Sequence, residues 1–254
     1  MNGSLPARFA GSGLDWIVPE WPAPACVQAF STTRNGEGGS AFDLVRLRPG
    51  SAAARAALRQ WLPDDPAWLE QVHGSEVCDL DRVHARSDGR FHQADAATTR
   101  RARRVCVVVT ADCMPVLFTD RSGSVVAAVH AGWRGLAAGV LEAALGAMRS
   151  PPAELLVWLG PAIGPQIFEV GADVLDAHRG SDPGAGECFI PLRPGKWLAD
   201  LYALARRRLL RAGVTQIFGG GRCTFTEMAV FHSYRRDGPV ASGRMATFIW
   251  REDT

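Results

Sequence analysis

Three apolar stretches of this chain each end in a turn that carries a residue able to bind a soft or borderline metal ion. The turns are Gln71-Val72-His73-Gly74, Ala111-Asp112-Cys113-Met114-Pro115 and His130-Ala131-Gly132-Trp133-Arg134-Gly135. Together they supply His73, Cys113 and His130. Two imidazoles and one thiolate suit zinc and leave its fourth tetrahedral position open to water or substrate. A fold that satisfies this pattern must bring three separated strand ends to one point.

Taken singly, each residue is weak. An isolated histidine in a turn, such as His73, is more often hydrogen-bonded or exposed than a ligand, and Gln71 and Gly74 add little to it. Val105-Cys106-Val107-Val108-Val109-Thr110 reads as a buried strand that delivers Asp112 and Cys113 into a proline-containing turn; an inert buried thiol fits that pattern equally well. His130 closes Ser124-Val125-Val126-Ala127-Ala128-Val129 and precedes a helix start, where side chains and backbone N–H groups are presented together. A histidine that merely caps a strand would look the same. Coincidence is what strengthens the set, since two of the three strands are consecutive.

With a metal in place, the site would have a Lewis acid or a bound water of lowered pKa. Asp112 would face the other side of a continuing strand, so hydrogen bonding behind the ligands or within the turn suits it better than ligation. The competing chemistry makes Cys113 a nucleophile with His130 or His73 as base. Metal content separates the two.

A chain of 254 residues, 47% hydrophobic, can bury a substantial core, and a soluble globular protein is expected. The formal charge of +2 is too small to indicate nucleic-acid binding and leaves small anionic partners open. Apolar runs are interrupted too soon for a transmembrane helix, and Met1 to Ala10 lacks the pattern of a signal peptide, so a cytoplasmic location is expected. Six cysteines without a CxxC pair read as free thiols.

No repeat, linker or domain boundary stands out. Strands are expected at Cys26 to Thr33, Glu76 to Leu80, Val105 to Thr110, Ser124 to His130, Glu154 to Leu159, Thr215 to Gly219, Met228 to Tyr234 and Arg244 to Trp250. Helices are expected at Ser51 to Leu62, on the surface and capped by Ser51 after Pro49-Gly50, and at Gly135 to Met148 and Leu198 to Arg211. Strands mixed with helices make an α/β or α+β fold.

Two turns are basic and polar: Ser31-Thr32-Thr33-Arg34-Asn35-Gly36 and Ser233-Tyr234-Arg235-Arg236-Asp237-Gly238. Arginine forks bind carboxylate or phosphate, although Arg236 reads as ordinary surface charge. Gly160-Pro161-Ala162-Ile163-Gly164-Pro165 lacks the lysine and hydroxyl of a phosphate loop and reads as a shaped loop near the site.

These segments, with Phe168-Glu169-Val170-Gly171 and Cys223-Thr224, resemble in order the signature of the laccase-domain family, from about Ser31 to Trp250. That family has also been called polyphenol oxidase, purine nucleoside phosphorylase and peptidoglycan editing factor. The resemblance implies one domain over residues 1–254, a layered α/β/β/α sandwich with mixed sheets, and zinc held by His73, Cys113 and His130. It implies phosphorolysis of adenosine, inosine, guanosine and S-methyl-5'-thioadenosine, together with deamination of adenosine. The partners are then nucleosides and phosphate rather than nucleic acid or membrane, with the protein a monomer or homodimer. Copper-dependent phenol oxidation has been claimed for members, but a single three-ligand site does not resemble a multicopper cluster.

In the mechanism this suggests, Arg34 and Arg235 bind phosphate or ribose, with Asn35, Arg134 and Tyr234 as further substrate contacts. Cys113, Asp112 and Arg34 are the expected catalytic residues, and Asp112 or Glu169 is the proton carrier for deamination. A related reading is a hydrolase that edits a peptidoglycan precursor in a wider cleft. The chain departs from the family pattern at Phe42-Asp43-Leu44-Val45-Arg46, at Phe231-His232 and at Pro239-Val240-Ala241-Ser242. His232 is expected at the surface.

Overall fold

Alternating apolar residues on two sets of strands produce two sheets that stack face to face. The computed structural model describes residues 5–44, 51–83 and 90–253. The larger sheet has six strands in the spatial order Gln216–Gly219, Leu155–Leu159, Met114–Asp120, Val126–Ala131, Ala96–Thr99 and Val77–Asp79. Its inner pairs are antiparallel and its two outermost pairs parallel. The smaller sheet is antiparallel, with Met245–Arg251 between Val27–Ser31 and Cys106–Thr110.

Strand periodicity sorts side chains into three buried layers. Cys106, Val108 and Ile249 point from the smaller sheet toward Ala97, Leu117, Ala128 and Trp158 of the larger one. Their neighbours Val107 and Phe248 point outward, where Phe9, Trp16, Leu58 and Trp61 cover them. Helices Leu5–Ser12 and Ser51–Leu58 belong to that outer layer. On the far side, Val116, Phe118, Val129 and Val157 pack against Leu136, Val140, Leu141 and Leu204 of the helices there. The order of layers is therefore helix, sheet, sheet, helix, an α/β/β/α sandwich.

Several elements differ from expectation. Fourteen strands occur among the described residues where eight were expected. Met228 to Tyr234 is not a strand: Ser233 Oγ accepts from Arg236 N at 3.2 Å and caps a helix at Tyr234–Ala241. The expected helix Gly135 to Met148 is two, Trp133–Ala138 and Val140–Met148, because Gly139 turns left-handed at φ 88°. The helix expected from Leu198 starts at Leu201, where Asp200 accepts from Ala203 N; Leu198 belongs to the strand Lys196–Ala199. Helix Ser51–Leu58 ends earlier than expected but lies on the surface as expected, with Ala52, Ala53, Ala56 and Ala57 exposed and Leu58 buried against the outer core. Pro49-Gly50 before it, and Val45 and Arg46 of the departure noted above, lie outside the described residues.

All six cysteines are free, and no helix among the described residues is long and apolar enough to cross a membrane.

Candidate metal centre

Residues Ala111 to Cys113 carry the chain from the smaller sheet into the larger one, linking Cys106–Thr110 to Met114–Asp120. The crossing is tight, and Asp112 takes a φ of 83°. Met114 then pairs with Ala131 and Pro115 with His130, which sets Cys113 beside the end of the neighbouring strand. His73 arrives from the turn after Leu69–Glu70, itself at φ 61°. Gln71 anchors that turn: its amide donates to Val109 O at 2.8 Å and accepts from Val109 N at 2.7 Å, a side chain acting as one more rung of the smaller sheet.

The three ligand atoms of His73, Cys113 and His130 lie within 4.8 Å of one another. His73 Nε2 is 3.8 Å from Cys113 Sγ. Tetrahedral zinc bonds to nitrogen and sulfur would place those atoms about 3.5 Å apart, so the donor set and its spacing both fit that ion. His130 Nδ1 lies 2.7 Å from Asp95 Oδ1, which leaves Nε2 as the metal-facing nitrogen. His130 and Asp95 are buried, Cys113 is half-buried and His73 is exposed, so access comes from one side.

Burial alone would raise the Cys113 thiol, but the charge of His130 and hydrogen bonds from both histidines draw it below the usual thiol range. Burial likewise works against a charged His130, yet the charge of Cys113 and the hydrogen bond to Asp95 raise it. The metal-free pair therefore holds one proton at neutral pH, as thiolate and imidazolium, and a metal must displace that proton. Protons thus compete with metal, and affinity falls as pH falls. Titrated between pH 6 and 8, log affinity should rise by about one per pH unit. A flat profile would contradict the thiolate–imidazolium pair.

Gly132 sits against the ligands with room for no side chain. A Cβ there would lie 2.7 Å from Cys113 Sγ and 3.3 Å from His73 Cδ2, although its φ of −75° suits any residue. Gly132→Ala must therefore displace the sulfur, and we expect metal affinity to drop by about tenfold or more, measured by chelator competition, with little change in fold.

The ligands line a cavity of about 580 Å³, within the range of small-molecule sites. Trp133, Phe168 and Tyr234 supply aromatic walls, and Arg134, Arg235 and Arg244 line it as well. Arg235 Nη1 donates to Glu169 O at 3.0 Å, with its guanidinium 5.5 Å over Phe168. Arg244 Nη1 donates to Gly243 O at 2.9 Å, and its guanidinium lies 5.7 Å from the centre of Tyr234. Arg134 lies 4.4 Å over Trp133.

Thus the fold gathers His73, Cys113, His130, Asp112, Arg134, Tyr234 and Arg235 around one space. Arg34 and Asn35 are absent from its lining: Arg34 Nη1 donates to Met228 O at 2.8 Å, and Asn35 Nδ2 to Asp15 Oδ2 and Ala229 O. Asp112 accepts from Thr224 Oγ1 and from Arg235 N, each at 2.6 Å. Glu169 pairs with Arg193 at 2.5 Å. His232 is buried rather than at the surface, bonded to Phe42 O at 2.8 Å. Arg236 is no loose surface charge either, since it donates to the carbonyls of Thr224, Phe225 and Phe231. Sequence reasoning missed Asp95, whose partners lie far away in the chain, and Arg244, which was read only as the start of a strand.

The model of the family described as multi-copper polyphenol oxidoreductase laccase matches residues 51–252. A purine nucleoside phosphorylase of Pseudomonas aeruginosa is 47% identical over 247 residues, covering 94% of this chain and 99% of its own. One from Escherichia coli is 47% identical over 245 residues, covering 92% and 98%. Among solved structures, a Neisseria meningitidis protein superposes with a TM-score of 0.86 at 44% identity, covering 94% of this chain and all of its own. YlmD of Geobacillus stearothermophilus gives 0.84 at 29% identity, covering 94% and 96%. By its matched residues, its relatives and its layered sheets, the chain belongs to this laccase-domain family.

Proposed function

We propose that the protein is a zinc-dependent purine nucleoside phosphorylase. Its substrates on this reading are adenosine, inosine, guanosine and S-methyl-5'-thioadenosine, and its products a free base and (methylthio)ribose 1-phosphate. The observation that carries this reading is the three-ligand cluster in the lining of a cavity that aromatic rings and arginines also line. A structural zinc site is closed by four protein ligands, whereas three leave a position for chemistry. The names of relatives at 47% identity support the same activity.

Zinc bound there would supply a Lewis acid and lower the pKa of a coordinated water. The chain's own groups do the rest. Trp133, Phe168 and Tyr234 offer flat faces to a purine. Arg235, Arg244 and Arg134 supply forks for phosphate and hold its charge against the ribose as the glycosidic bond breaks. Asp112 keeps Arg235 in place through the main chain. Arg34 and Asn35 act from behind, on the turn at Met228 and Ala229.

Deamination of adenosine at the same site needs a proton carrier. Asp112 lines the cavity with both oxygens engaged, and Glu169 is held by Arg193, so phosphorolysis is the better supported reaction. The described residues contain one metal-binding group of this kind, which favours a single-metal reaction over multi-copper oxidation.

Incubation of zinc-loaded protein with each nucleoside and phosphate, followed by chromatography, should show free base and a ribose 1-phosphate. Protein that carries one zinc per chain yet turns over none of the four would sink the assignment and leave precursor editing as the alternative to test.

A further inference from the structure

We infer that Asp95 is a positioning residue that sets both histidine ligands of the metal centre at once. This rests on the metal site and not on the identity of the substrate. Asp95 is fully buried, at the entry to the strand Ala96–Thr99. Its Oδ1 lies 2.7 Å from His130 Nδ1 and also accepts from His73 N at 2.9 Å. Its Oδ2 accepts from Gly74 N at 2.7 Å and from Val72 N at 3.2 Å. Its own carbonyl accepts from His130 N at 2.7 Å.

Three successive N–H groups, Val72 to Gly74, therefore converge on one carboxylate, a nest of the kind that binds anions. The nest holds His73 at its left-handed φ of 61°. The remaining lone pairs of the same carboxylate fix the His130 ring and its tautomer, with the proton on Nδ1 and Nε2 turned to the cavity. Neither histidine can shift relative to Asp95 without breaking a short bond. The spacing between the two ligands is thereby set by a side chain that binds no metal itself.

Asparagine is the informative replacement, because it keeps the shape and loses one acceptor. With its oxygen toward His130 and His73, its NH₂ confronts the N–H groups of Gly74 and Val72. Flipped, its NH₂ confronts His130 Nδ1 and forces the proton onto Nε2, the nitrogen that should face the metal. The first orientation loosens the turn that carries His73, and the second inverts the His130 tautomer.

For Asp95→Asn, chelator competition should show zinc affinity reduced by about 100-fold, the upper end of the effect of one supporting hydrogen bond, because two ligands depend on it. A folded variant with affinity within about threefold of the parent, below the range such partners usually command, would overturn the inference and make Asp95 a loop brace only. Should D95N fail to fold, the unaltered protein still decides the matter. Nitrogen-15 histidine spectra of its zinc-loaded form should show His130 protonated at Nδ1 and bound through Nε2, and the opposite tautomer would refute the proposal. If the unaltered protein takes up no zinc, the metal reading itself fails and this inference falls with it. Tight zinc binding that is equal in both proteins removes only the role of Asp95.

Discussion

Cys113→Ala should abolish zinc binding and lower phosphorolysis by about three orders of magnitude. The thiolate is the one anionic donor of the set, and its charge is what offsets that of the cation. Without it, two neutral imidazoles remain, one of them exposed. A catalytic metal contributes several kcal/mol to transition-state stabilisation, and each 1.4 kcal/mol is about tenfold in rate. The variant should otherwise fold, because Cys113 is half-buried at a crossing between sheets and packs in none of the hydrophobic clusters. Metal content and base release measured on one preparation separate the two roles of this residue. Loss of activity with zinc retained would make Cys113 a nucleophile, and an active metal-free variant would refute its role as ligand.

Asp112→Ala should cost about 4–7 kcal/mol of stability while leaving the ligand set intact. Charge-assisted hydrogen bonds contribute roughly 1.5–3 kcal/mol each, and Asp112 accepts two, from Thr224 Oγ1 and Arg235 N. Thr224 is fully buried, so its hydroxyl would lose its partner without gaining water. The φ of 83° adds about 1 kcal/mol for alanine, which lacks the local hydrogen bonding that lets Asp and Asn occupy that region. Denaturant unfolding at pH 7 reads the loss. Asp112→Asn should recover about half of it, since it tolerates the backbone and can still accept from Thr224. Wild-type stability in the alanine variant would mean that the cavity rim is held elsewhere.

Much of the layered core was readable because its strands are continuous apolar runs. Val105 to Thr110, Ser124 to His130 and Glu154 to Leu159 occur within a residue or two of expectation. Met114–Asp120 was not read as a strand, because Pro115 suggested a turn. In the structure it lies centrally in the larger sheet, and Pro115 O still accepts from Gly160 N at 2.8 Å. Helix Ala172–Ser181 escaped notice because its apolar face is only Val174 and Leu175, with His178 completing it.

At the site, ligand-type side chains at strand ends left a mark in the sequence that hydrogen-bond acceptors do not leave. Asp95 recognises backbone N–H groups, which every non-proline residue offers, so no spacing announces it. The arginines were ambiguous for a related reason. Arg34 and Arg235 sit in similar basic sequences, but Arg235 falls in the first turn of a helix, where its N–H bonds Asp112 and it reaches the cavity, whereas Arg34 does not.

The position of Met245–Arg251 has a consequence for the order of assembly. This strand lies in the middle of the smaller sheet, between two strands that precede it by more than a hundred residues in the chain. Until it inserts, Val27–Ser31 and Cys106–Thr110 have no common partner, and each presents an open edge that invites pairing with other chains. Arg244, immediately before it, reaches the cavity only when that insertion is complete. The cavity is therefore incomplete while those two edges wait for their shared partner, and that interval is when the chain most needs protection from aggregation.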